Sequence, residues 1–464
     1  MMLELPDIQG IVTAGYGQMP HARFLCLQIQ DVLLAKAWLQ ARLPYVTTSS
    51  RRAHNEPKPK TALNLALTSD GLSAWGLPHE TLQTFSREFQ QGMAHGERTK
   101  VLGDTRDCDP TLWQFGGMTN PPIHVLLMLY ATSEHELNEL TSAHWTAAAG
   151  TSGLGLVFQQ ESYRRSVNEP FGFRDGISQP AIEGTPGNRD PGQDIIKAGE
   201  FILGYVNEYG EPPPMPTVSA SLDSAGVLDT DKQSGQKAFG LNGTYLVLRK
   251  LSQDVEGFWN FVEKQTCKAD GTSDISAREL LAAKMVGRWR SGAPLTLTPE
   301  KDDPELGRDG ERNNDFTFME SDAQGFGCPI SSHIRRANPR DTLQPNPTRS
   351  RVIANRHRLV RRGRPYEENG KGTQEEGIVF IAINADIQRQ FEFVQQTWLN
   401  SPKFGGLVDC KDPLTSDNDG TGSLVLQRNP VRKRIEGLPR FVFTKGGGYF
   451  FLPGMKALKF LANL

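Results

Sequence analysis

The chain contains 464 residues, of which 37% are hydrophobic and 22% are charged. This length predicts two or three domains, and the composition is typical of a folded globular protein rather than a disordered or collagen-like one. Because 51 basic residues are balanced by 53 acidic ones, no global field would draw the protein to nucleic acid or to an anionic membrane.

The cysteines and apolar runs exclude further classes. The five cysteines lie far apart and form no Cys-x-x-Cys pair, which disfavours a disulfide framework and a cysteine-based zinc site. The longest apolar runs, residues 125–131 and 378–383, are much shorter than the roughly 20 residues that cross a bilayer. The first twenty residues lack a basic segment and an apolar segment typical of export signals, so we expect a cytoplasmic protein.

In chain order, the pattern predicts strands followed by helices. Residues 21–40 and 243–262 each read as a strand and then a helix, and Asp31 and Asp254 stand where a helix N-cap is expected. This similarity predicts two related halves with α+β architecture. Further strand-helix units and short strands are predicted at residues 123–144, 155–159, 358–360, 378–399 and 440–444.

The predicted boundaries follow proline- and glycine-rich stretches. Residues 207–237 contain four prolines and then a Ser/Asp/Gly-rich tract, so we predict an N-terminal domain over 1–206, a linker over 207–242 and a second domain over 243–464. The polar residues 301–315 predict an exposed insertion loop. Glycines 446–448 favour a turn over a phosphate-binding loop, because no helix-opening pattern follows them.

Residues 171–180, FGFRDGISQP, form the first candidate site. Gly172 and Gly176 bracket Asp175, and glycines allow a backbone to approach a flat ligand closely while it aims one side chain. The alternative is an ordinary Asp-Gly turn with a solvated acid.

The second candidate is His333, which begins an arginine-rich segment. Residues 335–364 contain ten arginines and one acid, Asp341. These arginines could form a solvated surface, bind nucleic acid, or grip a buried anionic cofactor. Aromatic residues for base stacking are missing until Tyr366, which favours the cofactor.

Several motifs, taken in order, resemble the dye-decolorising peroxidases, and in particular the larger subgroups of that family. The resemblance implies two ferredoxin-like α+β domains, each an antiparallel sheet with flanking helices. It also implies one non-covalent haem b per chain, held mainly by the second domain and capped by the Gly172 loop. The motifs are residues 7–10 (DIQG), 172–176 (GFRDG), 285–289 (MVGRW), His333, 358–363 (RLVRRG) and 447–451 (GGYFF).

The resemblance also implies residue roles. His333 would be the proximal iron ligand, Asp175 the distal acid–base group and Arg361 the distal arginine. Either Asp409 or Asp412 would polarise the imidazole of His333, and the sequence leaves both open. The residues expected to contact the haem are Gly172, Phe173, Arg174, Gly176, Arg340, Ile378 and Phe380.

The implied activity is the oxidation of phenols, aromatic dyes and similar reductants by hydrogen peroxide in one-electron steps. A haem-handling protein that stores haem or releases its iron, without peroxidase turnover, is the alternative. A carrier has no use for a distal acid beside an arginine, so Asp175 and Arg361 favour the enzyme. Trp398 and Tyr366 are candidate electron relays to bulky dyes, with core packing as the competing interpretation. Nucleic-acid and membrane partners are not expected, and a homo-oligomer is compatible with the sequence.

Overall fold

A computed structural model describes residues 2–50, 56–146, 152–186, 192–344, 346–369 and 374–464. The strands are β1 (His21–Ile29), β2 (Thr61–Leu67), β3 (Val125–Ala131), β4 (Leu154–Tyr163), β5 (Ala181–Ile182), β6 (Ile195–Ile196), β7 (Thr244–Gln253), β8 (Val360–Arg361), β9 (Arg364–Asn369), β10 (Gln374–Asn384), β11 (Gly422–Leu426), β12 (Lys433–Leu438) and β13 (Val442–Leu452).

The α-helices are α1 (Val32–Arg42), α2 (Ser69–Trp75), α3 (His79–Leu82), α4 (Arg87–Gln91), α5 (Gly96–Leu102), α6 (Glu134–His144), α7 (Val255–Thr266), α8 (Ile275–Val286), α9 (Pro304–Arg308), α10 (Phe318–Asp322), α11 (His333–Ala337), α12 (Pro347–Asn355) and α13 (Met455–Asn463). Wider, π-helical turns span Gln388–Glu392 and Val394–Leu399. Within the described ranges, no helix is both long enough and apolar enough to cross a membrane.

Nine strands of the described chain form one large sheet, and its order reveals the two halves. The first half runs β4-β1-β3-β2, and the second runs β13-β7-β10, with β8 and β9 both pairing β10. When β8 and β9, which both pair with β10, are counted as one position, each half has the strand order fourth, first, third, second, and neighbouring strands are antiparallel. The predicted α+β fold with two similar halves is confirmed. The halves join where Leu67 of β2 pairs with Phe451 of β13.

Local sequence explains why the first strand-helix unit of each half forms. Asp31 accepts hydrogen bonds from the first backbone amides of α1, and Asp254 does the same for α7, so both predicted N-caps are confirmed. In β7, Tyr245 and Val247 pack into one hydrophobic cluster, whereas Leu246 packs into another. This alternation places the two clusters on opposite faces of the sheet.

Residues 207–242 do more than connect the halves. Val218, Leu228 and Phe239 are buried in the same cluster as residues of both halves. The boundaries predicted at 206 and 243 therefore stay predictions, and the segment between them contributes to the core.

Two local predictions are wrong. Residues 301–315 are not a simple exposed loop: they contain α9, and Asn313 and Asn314 are buried. Glycines 446–448 lie inside β13 rather than in a turn. A Cβ atom on Gly446 would lie 2.6 Å from the ring of Phe115, so these glycines allow another segment to cross the strand closely.

Candidate functional site

A cavity of about 490 Å³ lies between the Gly172 loop of the first half and α11, β8 and β10 of the second. This volume falls in the range of roughly 300–1,000 Å³ that is typical of cofactor pockets. Gly172 does not line it; that glycine stands behind the loop against Arg290. The predicted site residues that do line the cavity are Phe173, Arg174, Asp175, Gly176, His333, Arg340, Arg361, Ile378 and Phe380.

His333 is the first residue of α11, and a buried acid holds its imidazole. Its Nδ1 lies 3.0 Å from Oδ2 of Asp412, which is fully buried. Burial would raise the pKa of Asp412, but the imidazole of His333 and the backbone amide of Thr415 hold that pKa below its ordinary value. An ionised Asp412 accepts a hydrogen bond from the N–H at Nδ1 of His333. This leaves Nε2 as the nitrogen that can bind a metal.

The structure decides between the two candidate carboxylates. Asp412 contacts His333, whereas Asp409 is exposed and its backbone carbonyl accepts a hydrogen bond from Ser423. Spacing in the sequence could not separate them, because both lie in the same irregular segment before β11.

Asp175 also lines the cavity and lies on a loop held in an unusual conformation. Gly172 and Gly176 have φ angles of +95° and +83°, which residues other than glycine rarely adopt. Arg361, at the end of β8, donates from Nη2 to the carbonyl of Ile177 at 2.9 Å. The guanidinium of Arg361 therefore meets the loop two residues after Asp175, and both side chains are half-buried at the cavity.

Arg340 is buried at the edge of the cavity. Its guanidinium lies 4.0 Å from the centre of the Phe316 ring and donates to the backbone carbonyls of Asn314 and Phe316. Burial lowers the pKa of Arg340 to about 10, so the side chain stays cationic near neutral pH. A fixed cation at this place fits the carboxylate of an anionic cofactor.

Four of the ten arginines between residues 335 and 364 line the cavity, so an anionic cofactor in it accounts for only part of the cluster. Arg335, Arg336 and Arg364 do not line the cavity; they are almost fully buried and donate to backbone carbonyls. Arg362 lines the cavity and also donates to a backbone carbonyl, that of Ile11. These arginines tie distant segments together. Arg364, for example, reaches the carbonyls of residues 15, 16 and 19 at the start of the chain.

Three cavity neighbours were missed from the sequence. Asn314 braces Arg340, and Glu169 accepts hydrogen bonds within the Gly172 loop. His357 also lines the cavity; its ring stacks on Phe393 with centroids 4.0 Å apart, and burial lowers its pKa. Glu169 lies two residues before the FGFRDG motif, so the sequence offered a signal for it. The contacts of Asn314 and His357 depend on segments that are distant in sequence.

The candidate relay residues are both buried. Trp398 is 4% exposed and packs against His357 and Phe393, and Tyr366 is 1% exposed with Lys250 over its ring. Neither side chain presents a surface on which a bulky dye could bind, so the structure favours the packing interpretation for both.

Comparisons with known proteins show which family this chain resembles. Residues 284–409 match the family model "Dyp-type peroxidase, C-terminal". A dye-decolorizing peroxidase of Auricularia auricula-judae is 31% identical over 98% of this chain and 86% of its own length. The crystal structure of a decolorizing peroxidase from the same fungus superposes with a TM-score of 0.80 and 28% identity, covering 99% of this chain and all of that one. A dye-decolorizing peroxidase in complex with 2,6-dimethoxyphenol superposes with a TM-score of 0.79 and 25% identity, covering 99% and 100% of the two chains.

Proposed function

Because the chain belongs to the dye-decolorising peroxidase family, we propose that His333 holds the haem iron and that Asp175 and Arg361 act on hydrogen peroxide at the opposite face. The protein is a haem peroxidase, and its cofactor is haem b. The observation that carries the residue assignment is that one cavity is lined by an imidazole backed by a buried carboxylate and also by a loop-borne acid and an arginine.

The residues present fit a haem. His333 would bind the iron through Nε2, because Asp412 occupies Nδ1. Arg340 would pair with a propionate, and Ile378 and Phe380 would form apolar walls beside the porphyrin. Bound haem supplies the redox chemistry that breaks the O–O bond and then oxidises reductants in one-electron steps.

Asp175 and Arg361 have complementary tasks at the peroxide. The carboxylate of Asp175 accepts a proton from one peroxide oxygen and returns it to the other, which leaves as water. The guanidinium of Arg361 stabilises the negative charge that develops as the bond breaks, and the carbonyl of Ile177 holds it near the loop. We infer that phenols and aromatic dyes are the reductants, since the similar proteins are named for dyes and one binds 2,6-dimethoxyphenol.

The environment of the arginines also supports the absence of a nucleic-acid partner. Since Arg335, Arg336 and Arg364 are buried on backbone carbonyls, they cannot contact phosphates at the surface. A gel-shift titration at low salt is expected to show no association with DNA or RNA.

The activity is tested by spectroscopy and turnover together. The purified protein should show a haem absorption band that changes on addition of peroxide, and should oxidise 2,6-dimethoxyphenol and an aromatic dye only when peroxide is present. Haem binding without turnover, accompanied by release of free iron, would instead support the haem-handling alternative.

A further inference from the structure

We propose that Glu169 is a positioning residue: its carboxylate fixes the loop that carries Asp175. The inference rests on the proposed role of Asp175 in moving the peroxide proton. It adds a second acid to the distal side, one that acts through the first rather than on the peroxide.

The carboxylate of Glu169 closes the loop from inside. Its Oε1 accepts the amide of Phe173 at 2.9 Å, and its Oε2 accepts the amide of Phe171 at 3.0 Å. The backbone of Glu169 adds two further bonds, one to the carbonyl of Phe173 and one from the amide of Gly172. The side chain of Glu169 thereby holds the residues on both sides of Gly172. Asp175 follows Phe173 by two residues.

The same carboxylate ties the loop to the second half of the molecule. Gln253, at the end of β7, donates from Nε2 to Oε2 of Glu169 at 2.7 Å. The strand β7 lies next to β10, which carries Ile378 and Phe380 in the cavity wall. The loop comes from the first half, so this bond sets its position relative to the wall that faces the cofactor.

The partners of Glu169 fit its ionised form. All three groups that contact its two oxygens are N–H donors, from Phe171, Phe173 and Gln253. The pKa of Glu169 is nevertheless raised above its ordinary value, because burial outweighs these hydrogen bonds, which lower it, and the nearby charge of Asp175 raises it further. An amide in place of the carboxylate offers one acceptor oxygen, so it can hold the amide of Phe171 or that of Phe173 but not both.

Substitution of Glu169 tests the proposal through two measurements, the amide exchange of the loop and the rate of reaction with peroxide. In Glu169→Gln, peptides covering the loop should exchange their amide hydrogens faster, because one clasping hydrogen bond is lost. The reaction with peroxide should slow by about 10- to 100-fold, as expected for a misplaced catalytic group. Haem content should stay at the level of wild type, and Glu211→Gln, which changes an exposed glutamate, should alter neither readout.

Combination with Asp175→Asn separates positioning from an independent role. If Glu169 acts through Asp175, the double variant Glu169→Gln/Asp175→Asn should react as slowly as Asp175→Asn and no slower. Glu169→Gln should slow the reaction and speed the exchange of the loop amides, whereas Asp175→Asn should slow the reaction and keep those amides protected. If the rate of the double variant falls by the product of the factors measured for the two single variants, the positioning role is overturned.

The remaining outcomes distinguish this inference from the proposed function. Wild-type rates in Glu169→Gln, together with a slow Asp175→Asn, would overturn the role of Glu169 and leave the function intact. Wild-type rates in Asp175→Asn would overturn the distal assignment and this inference with it. If Glu169→Gln does not fold, Gln253→Met removes the tether from β7 alone and should give faster loop exchange and a smaller loss of rate; unchanged exchange and rate in that variant would overturn the proposal.

Discussion

The two faces of the cavity are built differently. His333 and the fully buried carboxylate of Asp412 that contacts its imidazole both come from the second half. Asp175 comes instead from a loop of the first half whose Ile177 carbonyl accepts a hydrogen bond from Arg361 of the second, and both side chains are half-buried. A metal ligand needs one fixed geometry, whereas a proton-transfer group must stay accessible to a small substrate. The difference predicts that substitutions on the two faces fail in different ways.

The largest effect is expected at the iron ligand. His333→Ala should lose most of its haem, because the imidazole backed by Asp412 is removed. The haem absorption band after reconstitution measures this loss. His357→Phe keeps a ring on Phe393 and should retain haem. Full haem content with an unchanged spectrum in His333→Ala would show that His333 is not the iron ligand.

Substitutions on the distal face should spare haem and slow the chemistry. Asp175→Asn and Arg361→Leu should each bind haem like wild type, yet react with peroxide more slowly. The expected loss is about 10²–10⁴-fold for the acid–base group and about 10²–10³-fold for the electrostatic stabiliser. Stopped-flow recording of the peroxide-induced change in haem absorption measures both. If both variants and their combination react at the rate of wild type, the distal assignment is wrong.

The carboxylate behind His333 should have an intermediate effect. Asp412→Asn removes the charge that orients and polarises the imidazole, so haem affinity should fall by about 10- to 100-fold and the haem reduction potential should rise. Haem titration and spectroelectrochemistry measure the two changes. Asp409→Asn is the matched control, because Asp409 is exposed three residues earlier. Equal effects of the two substitutions would contradict the role assigned to Asp412.

The smallest effect is expected in the support of the distal loop. Arg358 donates to the carbonyl of Ser178 in that loop and pairs with Asp194. Burial would raise the pKa of Asp194, but Arg358, Arg340 and Arg351 hold it below its ordinary value. A carboxyl with a lowered pKa stabilises the fold above its unfolded pKa of about 3.9, and this stabilisation is lost as the pH falls through the lower folded value.

Asp194→Asn should therefore lower the free energy of unfolding at pH 7 by about 1–3 kcal/mol. The difference from wild type should shrink as the pH falls below about 4. Urea unfolding at several pH values measures this, with the exposed Asp107→Asn as control. A difference that stays constant across the pH range would show that the charge of Asp194 does not support the loop.

The sequence by itself determined the features that depend on near neighbours. Strand-helix units capped by Asp31 and Asp254 were predictable, because alternation, helical spacing and capping all act within about a dozen residues. His333, Asp175 and Arg361 were singled out by short motifs and all three line one cavity, whereas their roles at a haem stay a prediction. The repeated halves followed from the same local patterns, and the sheet order confirms them.

Only the tertiary structure decided the features that depend on distant segments. Asp412 rather than Asp409 meets His333 because the backbone after residue 409 turns one carboxylate inward and leaves the other exposed. Glycines 446–448 belong to a strand because they pair with residues 248–250 of β7, and most of the arginines bind backbone carbonyls of remote residues. In each case the partner lies far away in sequence, so neither periodicity nor composition carries a signal of the contact, and packing alone selects it.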